Sequence, residues 1–261
     1  MIVVIASRYD EIARALVARW EAYDARLLTC EDLSVCGWRY YPSDSRLSTA
    51  VIGGQEVAQE KIRGVLTRLP SVYVEELFHI VPADRAYVAV EMTSFLVSWL
   101  SRLQCPVLNR PTPTCLSGPY WRQERWVCIA AQIGIPVRSV QRRIVRVSGN
   151  LPEEEEPKPS PVTVTIVGNC CFGAVDEALH IQARRIADAA NVDLLAVQFS
   201  GPKAGSFFVG ANLWPDVTAD DVADAVLDYL QVGCTRGNFL FWRMYDFAVG
   251  PTRGYTADGS T

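Results

Sequence analysis

The run Val192-Asp193-Leu194-Leu195-Ala196-Val197-Gln198-Phe199, then Ser200-Gly201-Pro202-Lys203-Ala204-Gly205, then Ser206-Phe207-Phe208-Val209-Gly210-Ala211 decides how this chain is read. Two apolar stretches of strand length flank a segment rich in glycine and proline, which predicts two strands joined by a turn. Asn212-Leu213-Trp214-Pro215 follows, and apolar residues then recur at helical spacing from Thr218 to about Leu230. The order is strand, turn, strand, asparagine, helix. Taken by itself, an asparagine after a strand is a turn former.

Upstream, the chain alternates between the two periodicities. Met1–Ala6 is a β-branched apolar run of the kind buried in parallel sheets. In Asp10–Tyr23, Ile12, Leu16, Val17 and Trp20 fall at helical spacing. Ala25–Thr29 and Gly64–Leu69 read as further strands, and Val35–Tyr41 with Ser48–Ile52 as a β-ribbon around Pro42–Ser45. Asp84–Leu103 is a long amphipathic helix, Cys105–Leu108 a short strand and Tyr120–Ile133 a helix. This alternation predicts an α/β fold with a mainly parallel sheet in the N-terminal half. At 149–161 four consecutive glutamates, Glu153–Glu156, lie among prolines, a composition that excludes packing and predicts a linker. Beyond it come strand Val162–Gly168, a short strand near Cys170–Val175, helix Glu177–Asn191 and the strand pair above. Phe239, Leu240, Phe241, Trp242, Tyr245 and Phe247 crowd the tail, and 249–261 reads as disordered.

Composition narrows the function. The 261 residues can bury a sizeable core, and 49% are apolar. A net charge of −4 with both signs interspersed gives no footprint for nucleic acid. No run approaches a membrane span, and Met1–Ala6 is too short for a signal peptide, so a cytoplasmic location is expected. Eight cysteines without Cys-x-x-Cys, beside only His79 and His180, give no metal-ligand spacing. They read as reduced thiols, several of them packed as small hydrophobes. Cys170 and Cys171 are adjacent, so on a strand they point to opposite faces. A nucleophilic role for either needs a base, and neither histidine is near in sequence.

The strand–turn–strand–Asn–helix segment resembles the metal-binding end of the ATP-grasp ligases. A second likeness supports it: Gly64–Pro70 with Arg68, the helix Tyr87–Leu100, Pro106-Val107-Leu108-Asn109 and Gly134-Ile135-Pro136-Val137 follow one another as in the RimK-like and peptide-maturase branch. The resemblance implies residues 1–135 as a pre-ATP-grasp-like α/β domain. It implies 136–248 as a truncated ATP-grasp-like α+β half, interrupted by the linker 149–161. Such enzymes join a carboxylate to an amine or thiol through an acyl-phosphate.

The departures from that family are as informative as the matches. The family places an acidic residue on the first strand and Glu-x-Asn at the end of the second. Here those places hold Gln198, Gly210 and Asn212, so Asn212 alone is carried over as a cofactor-binding candidate, and no metal ligand is expected. No Gly-rich phosphate loop or strand lysine follows Pro136-Val137. Instead come Arg138, Arg142, Arg143 and Arg146, which read as a solvated strand face. Mg²⁺ wants anionic oxygens, and phosphoryl transfer depends on neutralising charge. The resemblance with these losses therefore implies a non-catalytic protein without ATP or Mg²⁺. It would serve as a binding or scaffolding subunit for a peptide or protein in peptide or natural-product modification, with the aromatic tail as an interface and a possible route to a homo-oligomer. The alternative is an active ATP-dependent ligase in which Glu153–Glu156 rebuild the metal site. Arg68, Asn109 and Arg110 stand at ends of predicted parallel strands, where open α/β sheets place ligands, and are candidates for a cleft that clamps an anion. An unrelated α/β enzyme using these three residues has no nucleophile or nucleotide motif to support it.

Overall fold

The computed structural model describes residues 1–42, 44–138 and 161–232. Glu153–Glu156, Arg142, Arg143, Arg146, Cys234 and the aromatic run through Phe247 lie outside the described residues, as does 249–261. Chain order runs β1 (Ile2–Ile5), α1 (Glu11–Arg19), β2 (Ala25–Leu28), β3 (Thr49–Ile52), β4 (Gln55–Ala58), β5 (Gly64–Thr67), α2 (Arg85–Arg102), β6 (Val107–Leu108), α3 (Gln123–Gln132), β7 (Val162–Val167), β8 (Cys170–Phe172), α4 (Glu177–Ala190), β9 (Leu194–Phe199), β10 (Phe208–Asn212) and α5 (Asp220–Val232).

The first sheet has the order β2-β1-β5-β6 and is parallel throughout. β1 and β5 are buried at every position, and β1 reads as an unbroken apolar run. The Asp10 carboxylate caps α1 by accepting from the Ala13 amide at 3.0 Å. The second sheet has the order β10-β9-β7-β8 and is antiparallel throughout. Asn191 ends α4 in the left-handed region at φ 53°, a conformation asparagine tolerates.

One expected pairing differs. The ribbon is β3 with β4 around Gly53-Gly54, both at positive φ, and 35–41 contributes only the bridge Arg39–Thr49. A two-residue Gly-Gly turn matches strand twist and sets the register of the strands it joins.

Three apolar clusters hold the molecule. α2 covers one face of the first sheet with Leu96, Trp99 and Leu100. α3 and α4 cover one face of the second sheet with Trp126, Ala130, Leu179, Ala183 and Ile186. The third cluster is shared: Ile2, Val4, Leu66 and Leu108 of the first sheet, Leu16 and Trp20 of α1, and Val167 and Leu194 of the second sheet enclose Val222, Val226, Leu227 and Leu230 of α5. α5 therefore fills the seam between the sheets. α3 precedes residue 136, yet its apolar face is buried with the second sheet.

Buried thiols in these cores couple stability to alkaline pH. Burial pushes the Cys30 thiol up to about 12 and the Cys105 thiol up to about 11. The unfolded chain releases these protons near pH 9 while the folded chain keeps them. Stability is then full below pH ~9 and falls as pH rises toward the folded values, by about 1.4 kcal/mol per pH unit for each thiol. Urea unfolding followed between neutral and alkaline pH is expected to show this slope, and Cys30→Ala to remove one thiol's share of it.

Candidate functional site

Cross-strand register defines the face of the second sheet turned toward the first. Directly opposed residues on neighbouring strands share a face. One row across β7, β9 and β10 is Thr163, Gln198 and Gly210, and the next is Phe172, Thr165, Ala196 and Asn212, starting from β8. The third row is Cys170, Val167 and Leu194, whose Val167 and Leu194 are buried with α5. The first two rows lie beyond that contact, with Thr163 and Asn212 exposed and Thr165 and Gln198 half-buried. A bulge between Phe208 and Gly210 brings Gly210 onto this face.

These two rows offer hydroxyls and amides and no carboxylate. The place beside Gly210 is filled. A Cβ there would lie 3.2 Å from both the amide nitrogen and the amide oxygen of Gln123, the first residue of α3. The Gln123 amide also donates to the Val209 carbonyl. The Asn212 side chain closes on its own turn, accepting from the Trp214 amide at 3.0 Å and donating to the Trp214 carbonyl at 3.1 Å. The Trp214 indole in turn donates to the buried Ser117 hydroxyl at 3.2 Å. That hydroxyl reaches the Thr67 and Leu69 carbonyls at 3.2 and 3.1 Å, at the C-terminal end of β5.

The other candidates meet this seam in different ways. Arg68 donates to Asp10 at 2.8 Å and to the Pro215 carbonyl at 3.5 Å, with its side chain only 9% exposed. Asp216, next in sequence, has its carboxyl held below the usual range by the Thr218 hydroxyl and amide, with Arg68 adding to the effect. Asn109 is buried. Its amide donates to the Leu194 and Ser117 carbonyls at 2.9 and 3.2 Å, and its oxygen accepts from the Leu194 and Asp193 amides at 2.8 and 3.0 Å. Arg110 points elsewhere, donating to the Leu103, Cys105 and Leu100 carbonyls at 2.9, 3.0 and 3.3 Å at the end of α2. The structure thus gathers Arg68, Asn109 and the turn after Asn212 around Ser117 and Trp214, and leaves Arg110 apart. Arg68 and Arg110 donate to protein acceptors, and Asn109 both donates to carbonyls and accepts from backbone amides.

No protein-family model matches the sequence, and no curated protein matches it. Solved structures do. The macrocyclase MdnC of Microcystis aeruginosa MRC, bound to the precursor peptide MdnA, is 13% identical over 88% of this chain and 99% of its own, with a TM-score of 0.62. The ATP-grasp ligase PsnB, complexed with a minimal precursor, is 12% identical over 87% of this chain and 97% of its own, with a TM-score of 0.61. This chain has an ATP-grasp-like fold. A RiPP-associated ATP-grasp ligase of Chryseobacterium gregarium, in complex with ADP and a leader and core peptide, agrees at 11% identity, 88% and 96% coverage and a TM-score of 0.59.

On the ATP-grasp-like fold, the two places that the sequence resemblance marks as acidic are direct cross-strand partners, Gln198 and Gly210. Among the described residues no group of three or more His, Cys, Asp or Glu is placed to hold a metal ion. No helix among them is long and apolar enough to cross a membrane. Sequence reading missed Gln123 and Ser117. Neither has a local signature, because Gln123 meets its partner across 86 residues and Ser117 meets Trp214 across 97.

Proposed function

We propose that this chain is a non-catalytic ATP-grasp-like protein that binds a peptide, acting as a recognition or scaffolding subunit in peptide modification. The observation that carries this reading is the pair Gln198 and Gly210, opposed across β9 and β10, with the Gln123 amide filling the space beside Gly210. Two neutral amides and a glycine do not fit Mg²⁺ with a triphosphate, whose charge must be met by anionic oxygens and held in octahedral geometry. The peptide partner is supported by the neighbours with the same fold, two of which are described above with precursor peptides bound. A peptide needs no cation. Its amides and carbonyls suit the exposed Thr163 hydroxyl and the half-buried Thr165 hydroxyl and Gln198 amide on this face. In this reading the aromatic run Phe239–Phe247 is the segment available for contact with a larger partner or a second copy.

Calorimetric titration of the full chain with Mg·ATP is expected to give no binding heat, and a phosphate-release assay no turnover. Micromolar nucleotide binding with turnover overturns the reading and favours the rebuilt ligase. A pull-down is expected to return one stoichiometric peptide or peptide-bearing protein.

A further inference from the structure

The outer edge of the first sheet leaves backbone chemistry open. β2 is an edge strand of that sheet, with β1 as its partner. The Asp24 and Leu28 carbonyls accept from the Ile2 and Ala6 amides at 3.3 and 3.2 Å, so Asp24, Arg26 and Leu28 turn their backbone groups toward β1. Backbone direction alternates along a strand, and Ala25 and Leu27 therefore turn theirs outward. The same two residues, with Val17 and Ala18 of α1, form the apolar lining of a groove of about 450 Å³ whose rim carries Arg14 and Glu21. Edge backbone is a ready template for another extended chain, and sheet edges are commonly blunted by charge, proline or a covering loop. Here the edge opens on an apolar groove instead.

Half of the outward groups are taken. The Ala25 amide donates to the Trp20 carbonyl at 3.4 Å. The Leu27 carbonyl is approached by the β3–β4 turn, where a Cβ on Gly53 would lie 4.0 Å from it. Among the described residues the Ala25 carbonyl and the Leu27 amide have no hydrogen-bond partner. In an antiparallel ladder an incoming residue uses the amide and the carbonyl of one and the same residue. In a parallel ladder it uses the carbonyl of one residue and the amide two places on. The open pair fits the parallel case. Charge agrees with this direction. α1 runs antiparallel to β2, so Glu21 stands at the Ala25 end of the groove and Arg14 at the Leu27 end. Arg26 lies on the other face, held by Asp24 at 3.0 Å and Gln55 at 2.9 Å, and leaves the groove clear.

We propose that the β2 edge is a docking site for an extended peptide segment of a partner protein, which adds as a strand parallel to β2. One residue of the segment accepts from the Leu27 amide and donates to the Ala25 carbonyl. Its two neighbours stand beside Ala25 and Leu27 and place small apolar side chains in the groove against Val17 and Ala18. A basic residue before them meets Glu21, and an acidic residue after them meets Arg14. Main-chain bonds supply the pairing and the groove supplies side-chain selection, as in strand addition generally. The edge belongs to the first sheet, so the site stands whether or not the open face of the second sheet holds a peptide.

The test uses the full chain and a fluorescently labelled peptide, Ser-Lys-Val-Thr-Val-Glu-Ser with blocked ends, titrated to millimolar concentration and read by anisotropy. Saturable binding is expected. The reversed peptide, Ser-Glu-Val-Thr-Val-Lys-Ser, is expected to bind about tenfold more weakly, because in the parallel direction it sets like charges against both ends of the rim. Hydrogen exchange followed by NMR reads the edge itself. The Leu27 amide is expected to exchange readily in the free chain and about tenfold more slowly at ten times the probe's dissociation constant. Leu27→Pro removes the outward donor and leaves the β1 ladder intact, since an edge strand tolerates proline where the N–H faces solvent. It is expected to weaken probe binding about tenfold. Ala18→Trp, at an exposed position of α1, fills the groove and is expected to do the same. Binding that leaves Leu27 exchange unchanged overturns the proposal, as does the lack of saturation or equal binding of the two peptides. A Leu27 amide already protected in the free chain also overturns it, since the edge is then occupied by the chain itself. If Leu27→Pro loses its native near-ultraviolet spectrum, Leu27 exchange in the natural chain and probe binding by Ala18→Trp decide between the same outcomes.

Discussion

Asn109→Leu is expected to cost about 4 kcal/mol of stability, because each buried polar group left without a partner costs roughly 1–3 kcal/mol. Leucine is close in size and adds apolar surface, so the change isolates the hydrogen bonds. Four are lost: two donated by the Asn109 amide to the Leu194 and Ser117 carbonyls, and two accepted from the Asp193 and Leu194 amides. The residue sits just beyond β6 of the first sheet and grips the start of β9 in the second, a buried tie between sheets that otherwise share α5. A whole domain of this size is stable by only about 5–15 kcal/mol, so the loss is a large fraction of the total. Arg110, one residue on, provides the contrast. It makes three hydrogen bonds, but within one helix end at a partly exposed site, and Arg110→Ala should cost far less. Urea unfolding of both variants decides the matter. A loss below ~1 kcal/mol for Asn109→Leu would show that the amide is not the clamp, since that is the net worth of a single ordinary hydrogen bond.

The same residues show how far the sequence could be read. β1 was legible because a strand buried on both faces reads as an apolar run, and β5 with its neighbours Ala25–Leu28 and Val107–Leu108 fell into the same parallel sheet. The antiparallel pair β9 and β10 was legible from Gly201-Pro202 and Gly205 between two apolar runs. The β3–β4 hairpin was mispaired because the proline-containing Pro42–Ser45 reads as the stronger turn signal, whereas the pairing turns at Gly53-Gly54. Strand-end position marked Arg68 and Asn109 as cleft candidates but says nothing of where a side chain turns. Arg68 finds Asp10 and Asn109 finds Leu194, and both partners come from elements that only the tertiary fold brings near. Gln123 was invisible for the same reason: a glutamine opening a helix carries no sign that a distant glycine leaves room for it.

Placing carboxylates on the face of β9 and β10 is expected to create a cation site there. Gln198→Glu with Gly210→Glu places two like charges directly opposite each other, which is destabilising in a sheet. The new side chain at 210 also meets the Gln123 amide at 3.2 Å, an overpacking typically worth 1–3 kcal/mol. Without metal, this double variant should therefore lose about 2–3 kcal/mol, and adding Gln123→Ala should recover the steric share while leaving the charge repulsion. Repulsion between paired carboxylates is what a hard divalent cation relieves, with the nearby Asn212 oxygen available as a further ligand. The triple variant should consequently gain stability on adding Mg²⁺, by about 1.4 kcal/mol at ten times the dissociation constant, while the natural chain shows no such gain. Thermal melts with and without Mg²⁺ and ADP read the difference directly. Equal stabilisation of the natural chain by Mg²⁺ with nucleotide would mean that oxygens outside the Gln198–Gly210 pair bind the cation, and that the loss of charge at this pair does not silence the site.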